Sequence, residues 1–435
     1  MEILITLSVV LLAGLLLSRL AKLVKLPAVT AYLVAGILIG PYLLGRLGVS
    51  GLGFTSMEKV EGYSLLCDIA LGFIAFSIGN EFRLGQLKKT GKQATIIGIF
   101  QAVCATLLVD GALIGLHFIF PDKLSLQAAI VLGAIASATA PAATLMVVRQ
   151  YKAKGALTDI LLPIVALDDA VGLILFAISF GIAKALTSGE VNLLSVILEP
   201  IIEVALSLGL GALMGYIFTF FERFYHSRSK RLSVSVAFVL LTVGISMIEF
   251  DVFGIHVAFS SLLVCMMLGT IFCNICDFSA ELMDRLDRWT APLFIIFFVL
   301  SGAELELSVF ADGTIVLIGA VYILFRSLGK YLGSFVSAKA TKCDDHIVKY
   351  LGITLLPQAG VALGMAMKAA TLSGDGMLVR NITLFAVLIY ELIGPMLTKI
   401  ALTKAGDITP HGRTSARTLH HLLDHLPHLH HQEQK

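Results

Sequence analysis

Long apolar stretches, separated by short polar loops, recur along almost the whole chain and limit the folds that it can adopt. They extend from Ile3 almost to Leu402. Each has roughly 17 to 25 residues, the length that an α-helix needs to cross about 30 Å of hydrocarbon. Of the 435 residues, 57% are hydrophobic and only 14% are charged, which is far more apolar than an ordinary soluble domain. The sequence therefore predicts an all-α polytopic membrane protein.

The length criterion divides the chain into about thirteen transmembrane segments. Their predicted starts are Ile3, Ala28, Ser64, Ala94, Leu126, Leu157, Val191, Leu232, Gly254, Trp289, Thr314, Ile347 and Ile382. Basic residues concentrate in alternate loops, for example Arg83 and Lys88 in one and Arg149, Lys152 and Lys154 in the next but one. By the positive-inside rule, this pattern places the N-terminus outside and the C-terminus in the cytoplasm. We expect a multi-pass protein of the plasma membrane, of the bacterial inner-membrane type.

Two of the predicted segments are interrupted by proline at corresponding places in two halves of the chain. The interruptions lie in the fifth and twelfth segments, which are seven segments apart and therefore antiparallel. Interrupted helices in halves of opposite topology indicate inverted repeats with a transport site near the membrane midplane. Two unrelated proline kinks are the alternative, because neighbouring helices can satisfy the carbonyls that proline frees. The residues around the interruptions are Ser137, Thr139, Pro141, Thr144, Pro357, Gln358 and Gly360.

The repeats predict the organisation of the whole chain. A transmembrane transporter domain covers residues 1–405, with repeat one over 1–187, a linker helix over 191–225 and repeat two over 232–405. Residues 406–435 contain seven histidines in a polar stretch, which predicts a disordered cytoplasmic tail. Metal binding and pH sensing by these histidines are the alternatives to an inert tail.

Five ionisable residues fall deep within apolar segments. Asp168 and Asp169 lie about 17 Å from the predicted cytoplasmic end of their helix, near mid-bilayer. A carboxylate at that depth costs several kcal/mol unless it is paired, protonated or beside water, so it indicates function. Arg326 and Lys330 are four residues apart on one helical face and are the expected charge partners, together with the acid Glu391. Three acids then face two bases, which leaves one carboxylate able to take a cation or a proton. A purely architectural ion-pair network is the alternative.

Three stretches of the sequence carry a family resemblance. The residues from Leu26 to Pro41, the residues from Phe73 to Phe82 and the sequence Leu-Asp-Asp-Ala around Asp168 resemble signatures of the monovalent cation:proton antiporters. Within that family, they are similar to the branch of Nap-type sodium and Kef-type potassium transporters. The paired aspartates resemble the motif of the electrogenic members. Asn80 stands where an apolar residue is more usual.

The resemblance implies a mechanism and a set of site residues. Asp169 would be the principal cation and proton carboxylate, and Asp168 would pair with Lys330. Ser137, Thr139 and the backbone around Pro141 would line the site between two crossed, unwound helices. A core domain of segments four to six and eleven to thirteen would move as an elevator against a dimerising panel, in a homodimer. Many relatives have an acidic residue in the second interruption, where this chain has Gln358 and Gly360.

The function expected from these observations is exchange of Na⁺, or of Li⁺ or K⁺, for H⁺. Carboxylate, hydroxyl and carbonyl oxygens suit a hard monovalent cation. We expect no enzymatic activity and no cofactor. An organic-acid or anion symporter of related fold, a K⁺/H⁺ antiporter, a passive channel and an intramembrane aspartyl protease are the alternatives. The protease would need two carboxylates that face each other across a water. The net charge of +2 is too small to indicate nucleic acid as a partner.

Overall fold

The computed structural model describes residues 2–23, 26–49, 52–80, 82–188, 193–252, 255–305, 307–370, 372 and 375–409. Within these residues the chain forms sixteen α-helices. The first six are α1 (Glu2–Leu23), α2 (Ala28–Ile39), α3 (Met57–Glu61), α4 (Ser64–Asn80), α5 (Leu84–Ile119) and α6 (Leu126–Ile135). The next six are α7 (Pro141–Gln150), α8 (Ala156–Ser188), α9 (Leu193–Phe224), α10 (Arg228–Ser246), α11 (Ser261–Ile275) and α12 (Ser279–Ala303). The last four are α13 (Gly313–Ala340), α14 (Asp345–Thr354), α15 (Gly360–Ala369) and α16 (Gly376–Ala405).

The prediction of an all-α polytopic membrane protein is confirmed. Nine helical spans of the described residues are long and apolar enough to cross a membrane, and α4, α6 and α11 are shorter apolar helices. The helices α6, α7, α14 and α15 have 10 residues each. At ~1.5 Å per residue, each reaches only about 15 Å, so a crossing at these places needs two of them in line. Thirteen crossings, and the orientation of the termini, stay predictions.

Three predicted segment starts differ from the structure by seven residues or more. The ninth segment was expected from Gly254, but Ile255–Val257 forms strand β2, which pairs antiparallel with strand β1 (Phe250–Val252), and helix α11 begins at Ser261. Apolar residues alone do not distinguish a strand from a buried helix. The tenth and fourth segments were expected from Trp289 and Ala94, whereas α12 and α5 begin ten residues earlier, at Ser279 and Leu84. Both helices start with a polar, charged stretch that a hydropathy criterion excludes.

The helices pack into two bundles. Helices α5, α6, α8 and α13 to α16 pack mainly on one another, and we call them the core bundle. Helices α1, α2, α4 and α9 to α12 form the second group, which we call the panel bundle. Helix α7 contacts both groups. The core bundle corresponds to predicted segments four to six and eleven to thirteen, the set that the family resemblance implies.

The residues that follow α16 pack against the start of α8. The carboxylate of Asp407 accepts hydrogen bonds from the backbone N–H and the hydroxyl of Thr158, both at 2.7 Å, and so caps the first turn of α8. These bonds join the start of α8 to the end of α16 at one edge of the core bundle. The histidine-rich tail was predicted over residues 406–435. Its first residues, 406–409, are described and include Asp407, whereas residues 410–435 lie outside the described residues.

Candidate functional site

Both predicted interruptions are present, and their backbones cross inside the core bundle. Residues 136–140 separate α6 from α7, and residues 355–359 separate α14 from α15. Pro141 is the first residue of α7, where its missing N–H and fixed φ are tolerated. The backbone N–H of Ala140 donates to the carbonyl of Pro357 at 2.8 Å, so the two unwound stretches touch directly.

Arg326 of α13 holds the two unwound stretches together. Its Nε donates to the carbonyl of Ala136 at 3.0 Å, Nη2 to Ala138 at 2.6 Å and Nη1 to Leu356 at 2.7 Å. The guanidinium also lies over the ring of Tyr390, 4.5 Å from its centroid. Arg326 was expected as a counter-ion for a carboxylate, but its described hydrogen-bond acceptors are three backbone carbonyls. The ends of α6 and α14 expose unsatisfied carbonyls of partial negative charge, and the planar fork of arginine fits several of them at once.

We expect Arg326→Gln to lower the free energy of unfolding by about 3 kcal/mol or more, because buried carbonyls of both unwound stretches lose charged donors. Thermal unfolding of the purified protein measures this loss. Arg288→Gln is a suitable control, because Arg288 is mostly exposed and pairs with Asp284 on the same helix at 2.6 Å. That change should cost less than about 1 kcal/mol. Equal stability of the two variants would contradict the role assigned to Arg326.

Lys330, one turn after Arg326, is the base that contacts an aspartate. Its Nζ lies 3.0 Å from Oδ2 of Asp168, and both side chains are fully buried. The ammonium also donates to the carbonyl of Ser137 at 2.5 Å and to the hydroxyl of Thr139 at 2.9 Å. Thr139 in turn donates to Oδ2 of Asp168 at 2.5 Å. The family resemblance implied this pairing, whereas the residues alone left open which base meets Asp168.

Gln101 of α5 completes the environment of Asp168 and was missed from the sequence. Its side-chain Nε2 donates to the other carboxylate oxygen, Oδ1, and to the carbonyl of Gly98 at 2.9 Å. Gln101 is fully buried. Both oxygens of Asp168 are thus occupied by donors. An uncharged amide in an apolar helix was the available signal, but nothing in the sequence indicates that α5 lies beside α8.

Asp169 has the opposite environment. Its side chain is 1% exposed, and neither carboxylate oxygen has a hydrogen-bond partner among the residues that the structure describes. Gly172 lies one turn further along the same helical face. A Cβ at Gly172 would be only 3.2 Å from the hydroxyl oxygen of Ser137, so this face of α8 lies against the first unwound stretch. The structure therefore brings Asp168 into contact with Thr139 and places the face of α8 that carries Asp169 against the stretch that contains Ser137.

Glu391 of α16 lies at the second interruption rather than in the ion pair. Its side chain is 4% exposed, and Oε2 has no hydrogen-bond partner in the described part of the chain. Gly394, one turn later, packs against Pro357, where a Cβ would be 2.9 Å from the proline ring. Asp169 and Gly172 have the same arrangement. In both pairs, an acidic residue is followed three residues later by a glycine that packs against an unwound stretch. The predicted pairing of Glu391 with a base does not occur among the described contacts.

The other predicted residues at the interruptions have structural contacts. Thr144 donates to the carbonyl of Ala140 at 3.2 Å, within the first turn of α7. The side-chain Nε2 of Gln358 donates to the carbonyl of Ile135 at 2.9 Å and lies 2.9 Å from the hydroxyl oxygen of Tyr322. Gly360 is the first residue of α15. Gln358 thus ties the second unwound stretch to the first without adding a charge.

A cavity of about 1210 Å³ opens between the two bundles. It is bounded by α2 and α12 of the panel bundle on one side and by α7 and α8 on the other. Leu162 and Pro163 of α8 line it, and at ~1.5 Å per residue Leu162 is about 10 Å along the helix from Asp169. The lining also includes Arg288 of α12 and four basic residues from the stretches that the charge pattern assigns to the cytoplasm, namely Arg83, Arg149, Lys152 and Lys154.

Known proteins resemble this chain in sequence and in architecture. Residues 7–404 match the family described as "Sodium/hydrogen exchanger, transmembrane". The chain belongs to this family. One relative of this exchanger is the K⁺/H⁺ antiporter subunit KhtU of Bacillus subtilis, 22% identical over 88% of this chain and 89% of that protein. Another is the Na⁺/H⁺ antiporter NhaS4 of Synechocystis, 24% identical over 89% of this chain and 93% of its own length.

The fold of the exchanger is also that of a solved transporter. The sodium proton antiporter MjNhaP1 from Methanocaldococcus jannaschii superposes with a TM-score of 0.65, at 20% identity, over 93% of this chain and 97% of that one. The family expectation drawn from the three sequence stretches is thereby confirmed. The relatives carry the names of transporters, not of enzymes.

Proposed function

We propose that this exchanger moves a monovalent cation across the membrane in exchange for protons, and that Asp169 holds the two alternately. The observation that carries the proposal is the contrast between neighbouring carboxylates. Asp168 receives donors on both oxygens, whereas Asp169 is buried without a hydrogen-bond partner among the described residues. A buried, unpaired carboxylate needs a cation or a proton. Competition between them at one group is sufficient for obligatory exchange.

The position of Lys330 suggests how cation binding is coupled to the rest of the site. Its ammonium is surrounded by the Ser137 carbonyl, the Thr139 hydroxyl and the Asp168 carboxylate, at 2.5 to 3.0 Å. Oxygens of these kinds are also the ligands that a hard cation prefers. A cation that binds at Asp169 therefore competes with the ammonium for Asp168 and for these oxygens. Lys330 then loses its counter-ion in a fully buried position.

Sodium is the cation that we propose, with lithium as a second substrate and potassium as the alternative. The relatives support exchange of a monovalent cation but carry the names of both sodium and potassium antiporters. The test is proton flux in liposomes that contain the purified protein, with sodium, lithium, potassium or an organic-acid anion added in turn. We expect saturable proton movement with sodium and lithium. Flux driven only by the organic acid would overturn the proposal in favour of a symporter.

The site geometry gives little support to a protease. A two-aspartate protease needs carboxylates that face each other across a water. Here Asp168 is bound by Gln101, Thr139 and Lys330, and none of these contacts involves Asp169. A passive channel differs from an exchanger in the same liposome assay, because only an exchanger drives protons against their gradient.

We infer that access alternates by an elevator movement of the core bundle against the panel bundle. The cavity between the bundles approaches Asp169 from the side that carries the basic loop residues. That side is cytoplasmic if the positive-inside rule holds, with the N-terminus outside. A shift of the core bundle along the panel would close this cavity and expose Asp169 on the opposite side. Cysteine accessibility at position 162, measured in both membrane orientations, tests this access path.

One ion pair connects parts that the elevator movement would separate. Arg149, at the end of α7, donates to Asp287 of α12 at 2.7 Å. Gln150 beside it accepts a hydrogen bond from the backbone N–H of Ala28, at the start of α2, at 2.9 Å. Both contacts join α7 to the panel bundle at the mouth of the cavity. They favour the arrangement in which the cavity is open.

We expect Asp287→Asn to raise the cation concentration for half-maximal transport from the cavity side by about two- to fivefold. The partly exposed pair contributes at most about 1 kcal/mol, and its loss lowers the population of the open arrangement. Flux assays at varied cation concentration measure the change. Asp284→Asn is the matched control, because Asp284 pairs with Arg288 on its own helix. Equal effects of the two substitutions would show that the pair to Arg149 has no special role.

A homodimer formed by the panel bundle is a further part of the proposal. Of the spans found in the described residues, those of α1 and α9 are the least covered, with 11% and 28% of an apolar 18-residue stretch buried. A second copy could cover part of this apolar surface, as could lipid. Chemical cross-linking in native membranes should give a species of twice 46.6 kDa. A species of single mass at every cross-linker concentration would overturn the dimer.

A further inference from the structure

A small basic cavity lies in the panel bundle, far in sequence from the aspartates. It occupies about 110 Å³ where α9 ends and α10 and α12 begin. Its charged and titratable lining consists of Arg228, Arg231, Arg285, His226 and Glu281, and we call it the arginine pocket. The transport mechanism proposed above uses none of these residues. The loop between α9 and α10 is one of the basic loops that predict the cytoplasmic face.

The charges of the arginine pocket do not balance. Glu281 is the single acid of the lining, and it is shared between Arg285 at 2.8 Å and Arg228 at 3.6 Å. Two guanidinium groups therefore compete for one carboxylate. Three arginines against one acid leave a surplus of two positive charges in the lining, before any protonation of His226.

Arg231 is held in place by contacts that leave part of its guanidinium available. The group stacks on Phe278, 3.6 Å from the ring centroid, and its Nε donates to the carbonyl of Tyr225 at 2.6 Å. No acceptor for its two terminal nitrogens occurs among the described residues. Glu222 is buried close by, but its bonded oxygen accepts from Ser235 and its other oxygen has no partner. Fixed donors without acceptors indicate a site for an anion.

The size and the chemistry of the arginine pocket fit a phosphate group. A volume of 110 Å³ equals that of roughly three to four water molecules at about 30 Å³ each, enough for one phosphate. Arginine forks bind phosphate oxygens in pairs and do so more strongly than neutral donors. A hydrated monovalent cation would be repelled by the same lining.

The surface beside the arginine pocket identifies the source of the phosphate. The last two turns of α9 expose the aromatic side chains of Phe220, Phe221 and Phe224, and Tyr225 follows directly. Tyrosine is typical of the boundary between headgroups and acyl chains, and phenylalanine is common on the apolar face of helices that lie at this boundary. An apolar surface next to a basic pocket matches the two parts of a lipid, and the cytoplasmic leaflet is rich in anionic headgroups.

We propose that the arginine pocket binds the phosphate group of an anionic phospholipid, whose acyl chains lie along the aromatic end of α9. The bound lipid fixes the cytoplasmic edge of the panel bundle at the membrane surface. Because the pocket lies outside the core bundle, lipid binding there is independent of the ion that the protein transports. Its test therefore does not depend on the transport proposal.

The test is a titration of the purified full-length protein in neutral detergent with phosphatidylglycerol, followed by its thermal unfolding temperature. Phosphatidylcholine and inorganic phosphate are titrated in parallel. We compare the unmodified protein with the double variant Arg228→Gln, Arg285→Gln. The matched control is Arg223→Gln, Lys230→Gln, which removes the same charge from exposed residues of the same region that do not line the pocket.

We expect phosphatidylglycerol to raise the unfolding temperature of the unmodified protein and of the control variant. In the pocket variant, the lipid concentration that gives half of the maximal rise in unfolding temperature should increase at least about tenfold. Each basic residue near an anionic headgroup contributes about 1 kcal/mol to lipid binding, and the variant lacks two of them. Should the double variant not fold, Arg228→Gln alone serves, since the Arg228 side chain is 78% exposed. For that single change we expect a rise of about threefold or more.

Two results would overturn the proposal. An equal loss in the pocket and control variants would mean that the lipid responds to overall surface charge and not to a defined pocket. An equal effect of inorganic phosphate would mean that the site takes free phosphate and that the aromatic surface has no part in it. Native mass spectrometry gives a second readout, in which the unmodified protein should retain anionic lipid that the pocket variant loses.

Discussion

Asp169→Asn is expected to reduce the rate of exchange of every monovalent cation by more than about 100-fold. Loss of a residue that only supports a metal ligand already lowers metal affinity or activity by about 10- to 100-fold, and Asp169 is proposed to bind the cation directly. The substitution replaces a deep carboxylate, both oxygens of which lack a hydrogen-bond partner in the described structure, by an amide that cannot take a proton and a cation in turn. The amide has nearly the same size, and the carboxylate makes no bond that would be lost. Folding should therefore be retained, as measured by thermal unfolding and by the yield of purified protein.

Asp168→Asn provides the comparison for this result. The amide oxygen can still accept hydrogen bonds from Thr139 and Lys330, so some exchange should remain, together with a lower unfolding temperature from the lost charge pair. Sodium-driven proton flux in liposomes measures both variants under the same conditions. Retained flux in Asp169→Asn would falsify the role given to Asp169. Complete loss in both variants would mean that the two carboxylates act as a unit.

Lys330→Gln is expected to abolish the current that accompanies exchange, or to stop exchange altogether. When a cation draws Asp168 away, Lys330 loses its counter-ion in a fully buried position and can release a proton in addition to the one from Asp169. Two protons then leave for each cation that binds. Such exchange moves net charge and responds to a membrane potential at ~2.3 kcal/mol per charge per 100 mV. Without the lysine, only one proton exchanges for one cation.

Current on a solid-supported membrane after a sodium jump measures this effect. The unmodified protein should give a transient current, and Lys330→Gln should give none even where a pH-sensitive dye still reports exchange. Arg326→Gln is the informative comparison, because arginine cannot release its proton and binds backbone carbonyls instead of Asp168. Arg326→Gln should lower stability without changing the charge moved per cation in the protein that remains folded. No current from the unmodified protein would contradict the two-proton scheme.

Most of the architecture was predictable because it follows from hydropathy and from proline. Long apolar runs located the spans, and Pro141 and Pro357 located both interruptions. The paired aspartates were conspicuous because charge is costly at that depth. The predicted helix starts were wrong where hydropathy does not reveal the backbone conformation. Apolar residues form a strand at Ile255–Val257, and charged residues form the first turns of helix α12.

The contacts inside the site were less predictable, because they depend on how helices distant in sequence are placed side by side. Arg326 was expected to pair with a carboxylate because a buried positive charge usually has a negative partner. Its hydrogen-bond acceptors are instead backbone carbonyls that the helix interruptions leave free. Gln101 carries no charge and lies in an apolar helix, so only the packing of α5 beside α8 reveals its bond to Asp168. Glu391 shares the depth of the aspartates but lies at the other interruption.

Proton release on cation binding tests the competition at Asp169 most directly. Sodium chloride is added to purified protein in weakly buffered detergent solution, and a pH indicator reports the protons set free, with choline chloride as the salt control. We predict that the unmodified protein releases protons in a saturable manner with sodium. We predict that Asp169→Asn releases none in response to the same additions. Saturable release of the same size from Asp169→Asn would contradict the account, as would the absence of any release from the unmodified protein.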